Sequence, residues 1–309
     1  MSGITGNRGS QPTKYVYGFF IAIAVFAIGS AAIFVKLVDA PPAVSAFYRL
    51  FFSFLLMTPL VLHPSIRQSL HKMTKRDWWL AFLSGFFLAL HFVLWFQSLA
   101  YTSVASSVVL VTMQPLFAVL GSYYLFKSKT PLIGWLFLLL ALSGGVMIGW
   151  GDFQVAGKAL WGDILALLGA LTITIYWLIG QQIRQHLPLF AYTYVVYGAS
   201  SLILGLYVFV MRYSFITYST RDFLYFLAMA IIPTLLGHTI LNGAIKYVSA
   251  TTISMAILGE PIGASILAYF ILGEALTSNQ WIGGSIILLG LVGYLLQESK
   301  SIRSQKSKE

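Results

Sequence analysis

Glu260 is the residue best placed to do chemistry in this chain, a carboxylate followed by Pro261 inside a long apolar run. It belongs to a repeat. Tyr101-Thr102-Ser103 with Gln114-Pro115 returns as Tyr247-Val248-Ser249 with Glu260-Pro261, each residue shifted by 146 positions (260 − 114), so a glutamine in one copy is a glutamate in the other. A carboxylate in hydrocarbon costs several kcal/mol if ionised and unpaired, and burial disfavours its charged form. Glu260 is therefore the candidate for a group that takes up and releases a proton. The plainer role is structural, a protonated Glu260 satisfying backbone that Pro261 leaves without a donor.

Other polar residues lie at comparable depth. His91 and Trp95 are four apart and share a helical face, as do His238 and Asn242. With Gln114, Glu260, Tyr176 and Trp177 they would line a cavity with aromatic walls and a few hydrogen-bonding groups, the usual chemistry of a small-molecule site. Each histidine would serve equally well as a neutral imidazole bonded to another helix. Two histidines and one glutamate nominally suit zinc, but nothing in their spacing brings them together, so no metal is expected. Arg49 is read first as snorkelling to the outer interface; the competing reading is that Arg49, with Lys36, holds a substrate carboxylate or a conformational ion pair. Pro115 and Pro261 are expected to kink their helices. No cofactor is expected: the chain has no Gly-Lys-Ser/Thr phosphate loop, which disfavours an ATP-driven pump, and no cysteine for a disulfide or thiolate site.

The elements that carry these residues follow from composition. Hydrophobic residues make up 58% of the 309 and charged residues 9%, with a mean hydropathy of +0.83, a balance that describes a polytopic membrane protein. The net charge of +10 does not point to nucleic acid, because the basic residues sit in short loops and tails. A spanning helix needs about 20 apolar residues, and ten runs qualify: Val16 to Val35, Ala43 to Leu62, Trp78 to Ala100, Val104 to Phe126, Pro131 to Trp150, Leu160 to Ile179, Leu187 to Met211, Phe223 to Ile245, Ala250 to Leu272 and Gln280 to Leu296. They are too long and too continuously apolar for a β-barrel. The first span, preceded by a polar tail with Arg8 and Lys14, is too long for a signal-peptide core and is expected to be retained.

Lys and Arg are distributed unequally between the two sides that ten spans create. An N-terminus inside places Arg8, Lys14, Arg67, Lys72, Lys75, Arg76, Lys127, Lys129, Arg184, Lys246 and the C-terminal Lys300, Arg303, Lys306 and Lys308 on one side. Only Lys36, Lys158, Arg212 and Arg221 fall on the other. Both termini are thus expected in the cytoplasm. The same 146 shift aligns Tyr123 with Tyr269, Trp135 with Trp281 and Gly144 with Gly290. An odd unit of five spans must cross in the opposite sense in its second copy, so the expected fold is all-α, ten transmembrane helices as two inverted five-helix repeats. Its divisions are a tail 1–14, a first repeat 15–152, a second 153–297 and a basic tail 298–309. Inverted repeats are the recurrent plan of secondary transporters. Gly145 and Gly149, and Gly283, Gly284, Gly290 and Gly293, read as packing faces or a homodimer contact.

The run His91-Phe-Val-Leu-Trp95 through Tyr101-Thr-Ser-Val-Ala-Ser to Gln114-Pro115 resembles the first half of an EamA-type member of the drug/metabolite transporter superfamily. Ala-Phe-Tyr-Arg49, Gly162-Asp163, Glu260-Pro261 and Gly273-Glu274 resemble it too, and the likeness covers Tyr15 to Gln297. Phe126-Lys127 stands where an acid matching Glu274 would be expected. The resemblance implies a cavity lined mainly by spans one, three, four, six, eight and nine, and substrates among amino acids, sugars, nucleosides, drugs and other metabolites.

These readings converge on a secondary transporter in the cell membrane, of the bacterial inner-membrane kind. It would export a small amphipathic, most simply amino-acid-like, solute by alternating access, with a proton coupled through Glu260. An uptake carrier or facilitator without proton coupling is the nearest alternative. An intramembrane enzyme acting on a lipid-like substrate would need paired carboxylates or a nucleophile with its base, and only Glu260 lies deep in a span. A receptor or scaffold would bind without flux. The expected partners are a small molecule, the lipid bilayer and a proton.

Overall fold

The computed structural model describes residues 14–102, 104–148, 157–273 and 277–306. Ser103, Gly149, Trp150, Glu274, the tail before Lys14 and the expected boundary between repeats lie outside them. The described residues contain helices and no strand. In order these are α1 (Lys14–Leu37), α2 (Pro42–Val61), α3 (Pro64–His71), α4 (Lys75–Ser98), α5 (Val104–Val111), α6 (Gln114–Phe126) and α7 (Leu132–Ile148). There follow α8 (Gly157–Ile183), α9 (Leu189–Val210), α10 (Thr220–Met229), a π-helical segment (Ala230–His238), α11 (Thr239–Ala244), α12 (Ala250–Ile257), α13 (Glu260–Leu272) and α14 (Ser278–Lys306).

Among the described residues nine helical stretches are long and apolar enough to cross a membrane, and α7 adds a shorter apolar helix. Each of the ten expected spans has a counterpart among them. Three of the ten are composite: α5 with α6, α12 with α13, and α10 with the π segment and α11. The short amphipathic α3, between the second and third spans, has no counterpart in the hydropathy pattern.

Local chemistry explains where these helices start. Thr74 accepts from the Asp77 amide at 3.2 Å while the Asp77 carboxylate accepts from the Thr74 amide at 2.9 Å, and Ser219 and Asp222 repeat the arrangement at α10. Such reciprocal boxes satisfy amides that a first helical turn leaves without partners. Pro42 opens α2, where its missing N–H costs nothing.

The breaks in the fourth and ninth spans recur at the same interval. The bounds of α5 and α12, and those of α6 and α13, differ by 146 at both ends. Packing follows a matching scheme, with α8 against α4 and α6, and α1 against the π segment and α13. Helices α2 and α9 pair with each other, as do α7 and α14. Glycine sets the spacing of the last pair: a Cβ on Gly144 would lie 2.6 Å from the Gly283 carbonyl oxygen, and one on Gly290 would lie 2.6 Å from the Ala141 nitrogen. Gly283 and Gly293 abut Ile148 and Phe137 of α7, while Gly145 and Gly284 face Val109 and Ile262. These glycines are spent on packing within one chain. Large apolar side chains such as Phe209 and Phe270 point outward, as lipid-facing residues do.

Candidate functional site

Pro115 and Pro261 each open a second half-helix, and each lacks the N–H that would bond the carbonyl four residues back. In the first copy the vacancy is filled locally: Gln114 donates from its side-chain amide to the Val111 carbonyl at 3.2 Å. Glu260 carries no amide to do the same for Ile257. It instead faces a central cavity that it shares with Gln114, Arg49, His91, Trp95 and His238. The apolar part of the wall comes from Ile28, Val111, Ile173 and Ile257. The free space is about 20 Å³ for the centre of a water-sized sphere, room for a water and little more. Lining residues are correspondingly buried, Arg49 at 0% exposure and Glu260 at 4%. Anything larger needs the helices to part.

Arg49 corrects the expectation of snorkelling. The packing of α2 against α4, α9 and the π segment turns its face inward, and its guanidinium carbon lies 4.4 Å from the centroid of the Phe92 ring, a cation–π contact. Its Nε donates to the Thr234 hydroxyl at 2.8 Å. Its Nη1 and Nη2 have no hydrogen-bond partner among the described residues. Lys36 is exposed at the end of α1 and is not among the residues lining the cavity with Arg49.

The histidines take different roles. His91 donates from Nδ1 to the Gly169 carbonyl of α8 at 3.0 Å and stacks on Trp95 at 5.7 Å, 18° from parallel. This is the interhelical imidazole bond anticipated as its plainer role. His238 stacks on Trp177 at 5.7 Å and 9°, and its Nδ1 has no described partner. Trp177 and Tyr176 are fully buried and stand behind His238, outside the cavity wall; Asn242 donates to the Tyr176 hydroxyl and, at 2.8 Å, to the His238 carbonyl. These three residues brace the wall from a second layer.

Five polar atoms on cavity residues are buried without a described partner: Arg49 Nη1 and Nη2, Trp95 Nε1, Gln114 Oε1 and His238 Nδ1. Each such atom costs about 1–3 kcal/mol, so a solute able to satisfy them would gain that much in return. The set offers donors at Arg49 and Trp95 and an acceptor at Gln114, and the Glu260 carboxylate lines the same cavity. No cluster of metal-ligating side chains occurs among the described residues.

Sequence reasoning offered Arg49 of the second span only as the competing reading, and it did not point to the aliphatic wall or to Thr234 with Phe92 as Arg49's supports. Pro233, in the middle of the eighth span, was the available signal for Thr234. The isoleucines and Phe92 carry none, since apolar residues surround them on every side.

The sequence pattern of the EamA-like transporter family matches residues 16–150 and again 160–296. An uncharacterized transporter of Bacillus subtilis, YwfM, is 26% identical over 95% of this chain and 97% of its own. An uncharacterized transporter of Synechocystis is 26% identical over 80% of this chain and 74% of its own, and one of Archaeoglobus fulgidus is 24% identical over 88% and 93%. A solved crystal structure superposes with a TM-score of 0.77 over 93% of this chain and 98% of its own, at 16% identity, a likeness of fold.

Proposed function

The chain belongs to the EamA-like transporter family, a multi-pass protein of the cell membrane, and from that premise we propose that it exports a small zwitterionic, amino-acid-like solute in exchange for a proton. One observation carries the reading: Arg49, with two unpaired guanidinium nitrogens, and Glu260 line the same buried cavity. A carboxylate on the solute would bond the Arg49 fork, and its ammonium would take the place of a proton at Glu260. Aromatic faces at His91 and Trp95 suit an amphipathic side chain. Binding of proton and solute is then mutually exclusive at one carboxylate, which is what an exchanger needs.

Alternating access is the accompanying proposal. Ten spans with both termini cytoplasmic put repeats 15–152 and 153–297 in opposite senses, and the double match of the family pattern supports the division. Broken helices at corresponding positions, with the cavity at their breaks, are a recurring feature of such carriers. The occluded cavity fits a state between the two openings.

The test uses purified protein in liposomes preloaded with individual L-amino acids. Counterflow of the labelled amino acid identifies a carrier, as distinct from an enzyme or a receptor. A pH gradient should drive accumulation by the wild type, and Glu260→Gln, whose neutral amide oxygen can still accept from the ammonium but without the charge, should show counterflow only at higher amino-acid concentration and lose that response. Undiminished gradient-driven uptake by Glu260→Gln would sink the coupling role.

A further inference from the structure

Thr234 sits where the eighth span departs from α-helical geometry. Pro233 has no N–H for the Met229 carbonyl four residues before it, and the chain widens into a π-helical stretch from Ala230 to His238. Thr234 replaces the missing donor, its hydroxyl bonding the Met229 carbonyl at 2.9 Å. The same oxygen then accepts the Arg49 Nε hydrogen at 2.8 Å. Ser53, one turn beyond Arg49, bonds the Arg49 carbonyl at 2.7 Å and reaches the Ala230 carbonyl at 3.3 Å. The second span and the π segment are thus joined by side-chain hydroxyls that bond the Met229 and Ala230 carbonyls in the turn before Pro233.

We propose that Thr234 is a positioning residue, holding Arg49 by its Nε so that the Nη1–Nη2 edge is presented to the cavity. The guanidinium is a rigid plane, and it is held from two directions. Phe92 lies 4.4 Å from its carbon, and the Thr234 hydroxyl fixes rotation about the side chain through Nε. Without that bond the plane can turn on the Phe92 ring, and the two free nitrogens no longer face a ligand together. A π-helical distortion in the eighth span therefore sets selectivity at a residue of the second. The proposal rests on the reading of Arg49 as the anion-binding group.

The experiment compares wild type, Thr234→Ser, Thr234→Val, Arg49→Gln and the Thr234→Val/Arg49→Gln double variant, all full-length in detergent. Each is titrated by thermal shift with an equimolar mixture of the proteinogenic L-amino acids. Thr234→Ser should keep the wild-type half-saturation, because serine retains the hydroxyl. Thr234→Val should raise it about tenfold, as loss of one hydrogen bond to a charged group does. In the Arg49→Gln background the valine should add nothing. An equal loss in both backgrounds, or none in the wild type, overturns the proposal. A wild type without a saturable shift would instead remove the amino-acid reading of the cavity. The unfolding temperatures without ligand then decide for Thr234: the bond to Met229 is lost in both backgrounds and cancels, so sub-additive losses uphold the coupling and additive losses overturn it.

Discussion

Gln114 and Glu260 face one cavity from the first turns of two half-helices whose bounds differ by 146 residues, yet only Gln114 bonds the carbonyl that its neighbouring proline leaves free. On the proposed reading, the difference separates a structural group from one left available to exchange a proton. An amide can donate to backbone and accept from a ligand at once, whereas an ionised carboxylate can only accept.

Glu260→Gln should therefore fold well. Glutamine at this position can donate to the Ile257 carbonyl as Gln114 donates to Val111, and it removes a buried acid from mid-membrane. Thermal unfolding in detergent is expected to occur at the wild-type temperature or above it, by the equivalent of about 1 kcal/mol. A marked fall in the unfolding temperature would assign Glu260 a structural role instead.

The reverse change, Gln114→Glu, should be harmful. It deprives the Val111 carbonyl of its donor and sets a second acid in a cavity that already holds Glu260. Leaving one buried acceptor unsatisfied costs about 1–3 kcal/mol, and repulsion between the acids adds to it at high pH. Stability of this variant should fall more steeply than that of the wild type as pH is raised; parallel pH curves for the two proteins would count against a shared cavity.

The ten apolar helical runs are readable from hydropathy because a bilayer sets helix length almost independently of tertiary contacts, and Glu260, His91 and His238 are buried within them. The inward turn of Arg49 is not readable in this way. In a span apolar on every side, periodicity cannot say which face meets protein and which meets lipid, and Arg49's direction depends on how α2 leans on α4, α9 and the π segment. For the same reason periodicity cannot say that Tyr176 and Trp177, both fully buried, stand behind His238 rather than in the cavity wall.

Arg49→Lys tests the guanidinium fork. Lysine keeps the charge but presents a single ammonium, which cannot bond both oxygens of a carboxylate side by side and has no Nε to rest on Thr234. Half-saturation for amino-acid counterflow should rise about tenfold or more. Equal transport by the lysine variant would mean that charge alone suffices.

Gly144→Val should disrupt the α7–α14 pair. Even a single Cβ at this position would lie 2.6 Å from the Gly283 carbonyl oxygen and 2.8 Å from the Ile287 nitrogen, backbone atoms that cannot step aside. Overpacking of this kind typically costs about 1–3 kcal/mol. The central cavity draws no lining residue from α7 or α14, so at low temperature the variant should keep wild-type counterflow affinity while unfolding earlier on heating.

Lys127 and Gly273 end the α6 and α13 helices in the same left-handed conformation, with φ of 55° and 70°. Glycine adopts it freely, whereas a side chain crowds the neighbouring carbonyl at a cost of about 1–2 kcal/mol. Lys127→Gly should accordingly stabilise the protein by up to about 1 kcal/mol, the larger unfolded-state entropy of glycine offsetting part of the gain. Lys127 is exposed and remote from the cavity, so transport affinity should not change. A lower unfolding temperature for Lys127→Gly would mean that the lysine side chain contributes a contact worth more than the strain it imposes.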